Sequence, residues 1–270
     1  MTNTEPDLSK LYRNDDFPLS SKYDPQWVIT NEMGPCVLWL TEALLPLMDL
    51  RPGMRVLDLG CGTALSSIFL ARECGVEVWA TDLWIGAAEN LARIREAGVD
   101  DRVFPVHAEA HALPYADGFF DAIVSLDAYH YFGTDVHYLD TYLLKLVKPG
   151  GRIGVVLPAS PRSVPMPLPD HLPAGVWYWL RSVDWWRDLW TRFPGVEVEV
   201  AEPFPGGWEV WAGWLEVVLA SGIATMPSRW YKDELAQLRA DAGRFLGFVR
   251  MVARKSGDWA PAREPPDPSA

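Results

Sequence analysis

Apolar residues in this chain gather into short runs separated by glycine, proline and acids. Arg55 to Leu59 is one such run, carrying a single acid, and Glu77 to Asp82, Phe104 to Ala110, Phe119 to Ser125 and Arg152 to Leu157 are four more. Runs of this length read as buried strands. Leu65, Ile68 and Phe69 then fall at helical spacing across Leu65 to Cys74. Upstream, residues 27–50 contain a helix, expected to break at Pro35 and again near Pro46. Past residue 158 the pattern changes to a proline-rich run, Pro158 to Pro173, and then a tryptophan-rich helical stretch ending near Pro194. Val196 to Val200 alternates as a sixth strand, Trp208 to Gly222 and Trp230 to Arg244 read as helices, and Phe248 to Ala253 suits a last strand. The polar residues 1–26 read as a flexible segment, 27–255 as one domain with a cap insertion at about 159–194, and the proline-rich 256–270 as a disordered tail.

The turn after the first run is the most informative feature. In Val56-Leu57-Asp58-Leu59-Gly60-Cys61-Gly62-Thr63-Ala64 a strand runs through two glycines into a helix. Gly60 and Gly62 let the backbone turn sharply and approach a ligand closely. A helix N-terminus aimed at a ligand is a common small-molecule site in open α/β sheets. The dinucleotide fingerprint needs a third glycine where Leu65 stands. Asp58, two residues before the turn, would repel a pyrophosphate but suits a ligand with an ammonium group. Asp82 ends the second run 22 residues beyond Gly60, the spacing at which a carboxylate reaches ribose hydroxyls. The third run ends in another acid, Glu109, and a Lys148-Pro149-Gly150-Gly151 turn precedes the fifth.

With the VLDLGCGTA turn, the ATD strand end, the AEAHALPYADGFFDAIVS segment and the KPGG turn in this order, the chain resembles the class I S-adenosylmethionine-dependent methyltransferases. Within them it is similar to the small-molecule branch described as cyclopropane-fatty-acyl-phospholipid synthase-like. It departs at Ala64, where many members have a third glycine; a methyl group there should be tolerated. The resemblance implies an α/β fold with a Rossmann-like, mostly parallel seven-stranded sheet, the last strand antiparallel, helices on both faces, and here a Trp-rich helical cap. It implies S-adenosylmethionine as cofactor. Asp58 and the turn Gly60, Cys61, Gly62 and Thr63 should hold the methionine end. Asp82, followed by Leu83, should take the ribose hydroxyls. Ala108, Glu109 and Ala110 should frame the adenine, Leu126 or Asp127 should close the methionine side, and Met33 and Gly34 should fold over the cofactor.

Composition narrows the acceptor. The 270 residues carry a net charge of −12 and show no basic stripe, so nucleic acid is a poor substrate guess. No stretch reaches the roughly 20 apolar residues of a membrane helix. The polar N-terminus and three cysteines at unrelated spacings suggest a reduced, cytoplasmic protein. The histidines show no ligand spacing, so no metal is expected.

The loop after the fourth strand, Leu126-Asp127-Ala128-Tyr129-His130-Tyr131, should lie beside the transferred methyl. His130 is the candidate general base because its ordinary pKa suits proton abstraction near neutrality. Asp127 could orient a substrate amine or hydroxyl or cap the next helix, Tyr131 could line the methyl site or pack, and the alternative for His130 is a structural role. Eight of the 14 tryptophans lie between Trp177 and Trp214. Some could line a pocket for an apolar or amine-bearing molecule, with cation–π gains of roughly 0.5–2 kcal/mol; most would be cap packing. Trp179, Trp185, Trp186, Tyr23 and Tyr129 are the pocket candidates. The expected function is methyl transfer to a small molecule. The alternatives are a non-catalytic S-adenosylmethionine-binding sensor or scaffold and an NAD-dependent oxidoreductase, which Asp58 and Glu109 disfavour. Oligomeric state is left open.

Overall fold

The computed structural model describes residues 7–172, 175, 180–223 and 225–257. Seven strands form one sheet: β1 (Arg55–Leu59), β2 (Glu77–Asp82), β3 (Val103–His107), β4 (Phe120–Leu126), β5 (Val147–Pro158), β6 (Val196–Pro203) and β7 (Phe248–Lys255). Their order is β3-β2-β1-β4-β5-β7-β6. β7 runs antiparallel to both its neighbours, and the other pairings are parallel. The Rossmann-like expectation therefore holds, antiparallel last strand included. From Val56 onward β1 is fully buried, because helices cover both faces of the sheet, and this is why the parallel strands read as continuous apolar runs.

The helices are α1 (Leu8–Tyr12), α2 (Pro25–Asn31), α3 (Val37–Met48), α4 (Leu65–Cys74), α5 (Ala87–Glu96), α6 (Val183–Trp190), α7 (Gly207–Ser221) and α8 (Ser228–Asp241). The core on one face draws on α1 to α5, α7 and α8. The opposite core gathers Tyr129, Tyr138, Leu143, Trp186 and Trp190 against the inner strands. The strand order reverses between β1 and β4, which run parallel, and this opens the crevice at their carboxyl ends where ligands of such sheets bind. The Ser125 hydroxyl donates to the Leu59 carbonyl at 2.7 Å and ties the two strand ends together.

Three expectations are corrected. Residues 7–26 are packed rather than loose. Tyr12 and Phe17 stack on Trp39 at 5.7 and 5.9 Å, and Glu42 accepts from the Ser20 backbone and hydroxyl, both at 2.7 Å. The polar sequence around them concealed two aromatic anchors. Pro46 does not end α3, which runs on to Met48; in the last turn its missing N–H costs a single helical bond. The tryptophan-rich helix α6 does not roof the crevice. Val183, Trp186, Leu189 and Trp190 form its buried stripe, and it lies along β6 on the opposite face. The Ser160–Ser182 bridge and the Ser182 cap on the Trp185 N–H direct the chain there. Trp179 lies outside the described residues. No helix among the described residues is long and apolar enough to cross a membrane.

Candidate active site

The turn from β1 to α4 is a cradle built from backbone. The Gly60 and Cys61 N–H groups donate to the Thr81 carbonyl at 2.8 and 3.2 Å, locking the turn onto the end of β2. Gly60 has φ +76°, and a Cβ there would come within 2.4 Å of Ala128 Cβ, so only glycine allows the β4 loop to close over the turn. Ala64 takes the same left-handed conformation (φ 65°) to start α4, so the methyl is tolerated under strain.

A cavity of about 240 Å³ opens on this turn. Its walls include Gly60, Cys61, Gly62 and Thr63, then Asp82 and Leu83 from the end of β2. Ala108, Glu109 and Ala110 follow β3, Leu126 ends β4, and Met33 and Gly34 come from the α2–α3 junction. Segments far apart in sequence thus meet in one space. Asp58 is the exception: it is fully buried behind the turn, and one carboxyl oxygen takes the Ser66 and Ser67 hydroxyls, each at 2.6 Å. Its other oxygen has no hydrogen-bond partner. Burial outweighs the two serine bonds and lifts its pKa to about 6.

Asp82 organises the cradle from within. It accepts from the Gly62 N–H at 2.8 Å, the Trp84 N–H at 2.7 Å and the Ile85 N–H at 2.9 Å. Each carboxylate oxygen can accept more than one hydrogen, so Asp82 can both hold the turn and receive a hydroxyl. Glu109 accepts from the His111 backbone and Nδ1 at 2.7 and 2.8 Å, and these bonds hold its carboxyl below the ordinary range. At the rim Trp84 and Tyr131 meet edge to face at 5.2 Å, both largely exposed.

Beyond Asp127 lies a second cavity of about 500 Å³. Met33, Gly34, Asp127 and Tyr131 line both spaces and form their shared wall. Asp127 sits at φ +54°, a conformation aspartate tolerates better than most residues, and its carboxylate lies where a Gly34 side chain would be. His130 faces only the second cavity. Burial lowers its pKa from 6.5 to about 4. It is therefore neutral at pH 7 and a weaker proton acceptor than its ordinary acidity suggested. Its neighbours include Glu32 and Glu234, whose carboxyls burial pushes up, Glu234 to about 7.

The expected pocket side chains go elsewhere. Tyr129 is fully buried in the opposite core, with Trp186 and Trp190 at 5.7 and 5.6 Å. Trp185 packs on that side too, its indole edge on Trp186 at 4.9 Å. Tyr23 lies against Phe69 and Glu73 on the outer side of α4. The second cavity takes its aromatics from Trp211 and Trp214 on α7 and Trp230 and Tyr231 on α8. The i, i+3 spacing of Trp211 and Trp214 was the available signal, since it sets both on one helix face. Nothing in the local pattern marked Glu32 or Glu234.

Residues 56–151 match the family model described as methyltransferase domain. The 27-O-demethylrifamycin SV methyltransferase of Amycolatopsis mediterranei is 33% identical over 43% of this chain and 43% of its own length. A demethylmenaquinone methyltransferase of Clavibacter sepedonicus is 39% identical over 56% of this chain and 58% of its own. The chain thus spans about half the length of the curated relatives it matches. Phosphoethanolamine N-methyltransferase 2 of Haemonchus contortus, solved with S-adenosyl-L-methionine, aligns with a TM-score of 0.67 at 18% identity, over 93% of this chain and 60% of that one. That likeness establishes the fold. The methyltransferase resemblance carried by the four sequence motifs is borne out across residues 56–151.

Proposed function

We propose that this chain transfers a methyl group from S-adenosylmethionine to a small acceptor, apolar or amine-bearing, seated in the second cavity. The observation that carries the reading is the shared wall of Met33, Gly34, Asp127 and Tyr131, which sets an acceptor space directly against the cradle.

The residues present fit this cofactor. The turn at Gly60 to Gly62 leaves room at a backbone surface that a Cβ would fill, and Asp82 and Glu109 stand at successive strand ends. When bound, S-adenosylmethionine supplies an electrophilic sulfonium methyl. The chain supplies position and dryness: the α2–α3 junction, the β4 loop and helices α7 and α8 enclose the acceptor. His130, held neutral, has the role of proton acceptor for an acceptor atom that arrives protonated.

The test follows S-adenosylhomocysteine formation from S-adenosylmethionine by mass spectrometry with a panel of small amines, phenols and apolar acids. Turnover with at least one class supports the reading. His130→Ala should lower turnover by roughly 10²–10⁴ while leaving S-adenosylhomocysteine affinity nearly intact. Binding of the cofactor with no turnover across the panel would favour a sensor instead.

A further inference from the structure

We propose that the second cavity binds a compact apolar molecule through a protonated amine, which the field of the buried Glu32, Asp127 and Glu234 carboxyls draws to the border with the cradle. This deepens the methyl-transfer reading and rests on it only for calling that ligand the acceptor.

Three carboxyls line this one cavity, each from a different part of the chain: Glu32 follows α2, Asp127 follows β4, and Glu234 is on α8. Both Glu32 oxygens are shielded from solvent and have no hydrogen-bond partner. The backbone N–H groups of Cys36 and Val37 temper its rise in pKa without reaching bonding geometry. One Glu234 oxygen is likewise buried without a partner, with the Trp211 indole beside it. The carboxyls also feel one another, since Asp127 raises Glu32 and Glu234 raises Asp127.

No opposite charge answers them from within the wall. The α2–α3 junction contributes Glu32, with the Cys36 thiol close to it. The β4 loop contributes Asp127, Tyr131 and His130, which burial keeps neutral, and α8 contributes Tyr231 and Glu234. The α7 face is apolar apart from its indoles, and among the described residues lining the cavity there is neither lysine nor arginine. Ionised carboxyls buried without a partner are costly, so the empty cavity keeps its acids protonated. An ammonium group changes that balance by supplying both charge and hydrogens.

The shape and chemistry favour an organic cation. Among the described residues no group of three or more His, Cys, Asp or Glu is placed to hold a metal ion. Much of the remaining lining is apolar, with Trp211, Trp214 and Trp230 beside Leu215, Val218 and Ile223, a surface for a hydrocarbon body whose ring faces also attract cations. Asp127 belongs to both cavities, so an amine held there lies at the border rather than at the far end.

The experiment compares matched probes on the full chain: 2-phenylethylamine against 2-phenylethanol and octylamine against octanol, by calorimetry and tryptophan fluorescence. S-adenosylhomocysteine affinity is measured on the same samples. Each amine should bind at least about 10-fold more tightly than its alcohol at pH 7.5. Glu234→Gln and Glu32→Gln should each weaken amine binding by roughly 10–100-fold, the worth of a charge-assisted hydrogen bond, and leave the alcohols within about twofold. Amine affinity in the parent chain should climb as pH rises through about 7, where Glu234 ionises, and Glu234→Gln should flatten the climb. Alcohols binding as well as amines, no binding by any probe, or amine affinity unchanged in both variants would overturn the proposal. The parent-chain comparison stands even if a variant fails to fold. Amine selectivity without S-adenosylhomocysteine binding would remove the methyl-transfer reading and keep the amine site; the reverse result would remove only the amine site.

Discussion

The two cavities meet at one wall yet are built by opposite means. The cradle comes from strand ends and their first turns, positioned by the backbone: Gly60 and Cys61 on the Thr81 carbonyl, Gly62 on Asp82. The second cavity comes from side chains of α7, α8, the α2–α3 junction and the β4 loop, which approach only because the sheet and two helices pack as they do. A backbone site depends on a few glycines and acids at fixed offsets. A side-chain site depends on the whole packing arrangement, so its specificity can change residue by residue without disturbing the cradle.

The largest expected effect separates the two groups of tryptophans. Trp186 is fully buried in the core opposite the crevice, so Trp186→Ala should cost about 3–5 kcal/mol of stability. Urea unfolding measures this, and the folded protein should keep its S-adenosylhomocysteine affinity. Trp211→Ala, by contrast, should impair acceptor binding. If Trp186→Ala weakened acceptor binding and Trp211→Ala did not, the cavity would be on the wrong side of the sheet.

Asp82→Ala addresses the cradle. It removes three backbone bonds as well as the carboxylate available to a ribose. Calorimetry should show S-adenosylhomocysteine affinity falling about 100-fold, near 3 kcal/mol, with Trp211→Ala changing it by less than about threefold. Equal losses in the two variants would mean the cavities are not separable.

The pH response follows from the buried acids. Glu234 binds its proton more tightly in the fold than in the open chain, its pKa rising from 4.5 to about 7. Asp58 rises from 3.8 to about 6. The folded state therefore binds more protons than the unfolded state across pH 4.5 to 7, and these groups lower stability as pH rises through that window. At about 1.4 kcal/mol per pKa unit, Glu234 accounts for up to about 3 kcal/mol. Thermal unfolding of the ligand-free protein should flatten with pH in Glu234→Gln, and an unchanged slope would contradict the burial of that carboxyl. The smallest effect concerns Ala64, which holds φ 65° at the start of α4. Ala64→Gly should relieve that strain and raise stability by about 1 kcal/mol in the same assay.

The contrast also explains what the chain's sequence made legible. The strands from Arg55 to Leu157 and the glycine turn were readable because each is local, a short apolar run or a pair of glycines, whereas the antiparallel direction of the last strand came from the family resemblance. The resemblance gave Asp58 to the methionine end of the cofactor, and spacing cannot tell a carboxylate beside a ligand from one behind the turn on Ser66 and Ser67. The tryptophans of α6 were misplaced because composition counts indoles without saying which face of the sheet they reach. His130 was expected in the loop beside the transferred methyl and lines the second cavity; its acidity was not legible, because burial is a tertiary quantity. Glu32 and Glu234 lie some 200 residues apart in sequence and become one feature only in the packed fold.

The central claim is that the turn at Gly60 to Gly62, with Asp82 and Glu109, forms a cradle for S-adenosylmethionine. Isothermal calorimetry of the parent chain with S-adenosylhomocysteine and, separately, with NAD tests this most directly. The account expects a micromolar dissociation constant for S-adenosylhomocysteine, about 8 kcal/mol of binding free energy, and no measurable heat with NAD. Tight NAD binding with no S-adenosylhomocysteine binding would contradict it.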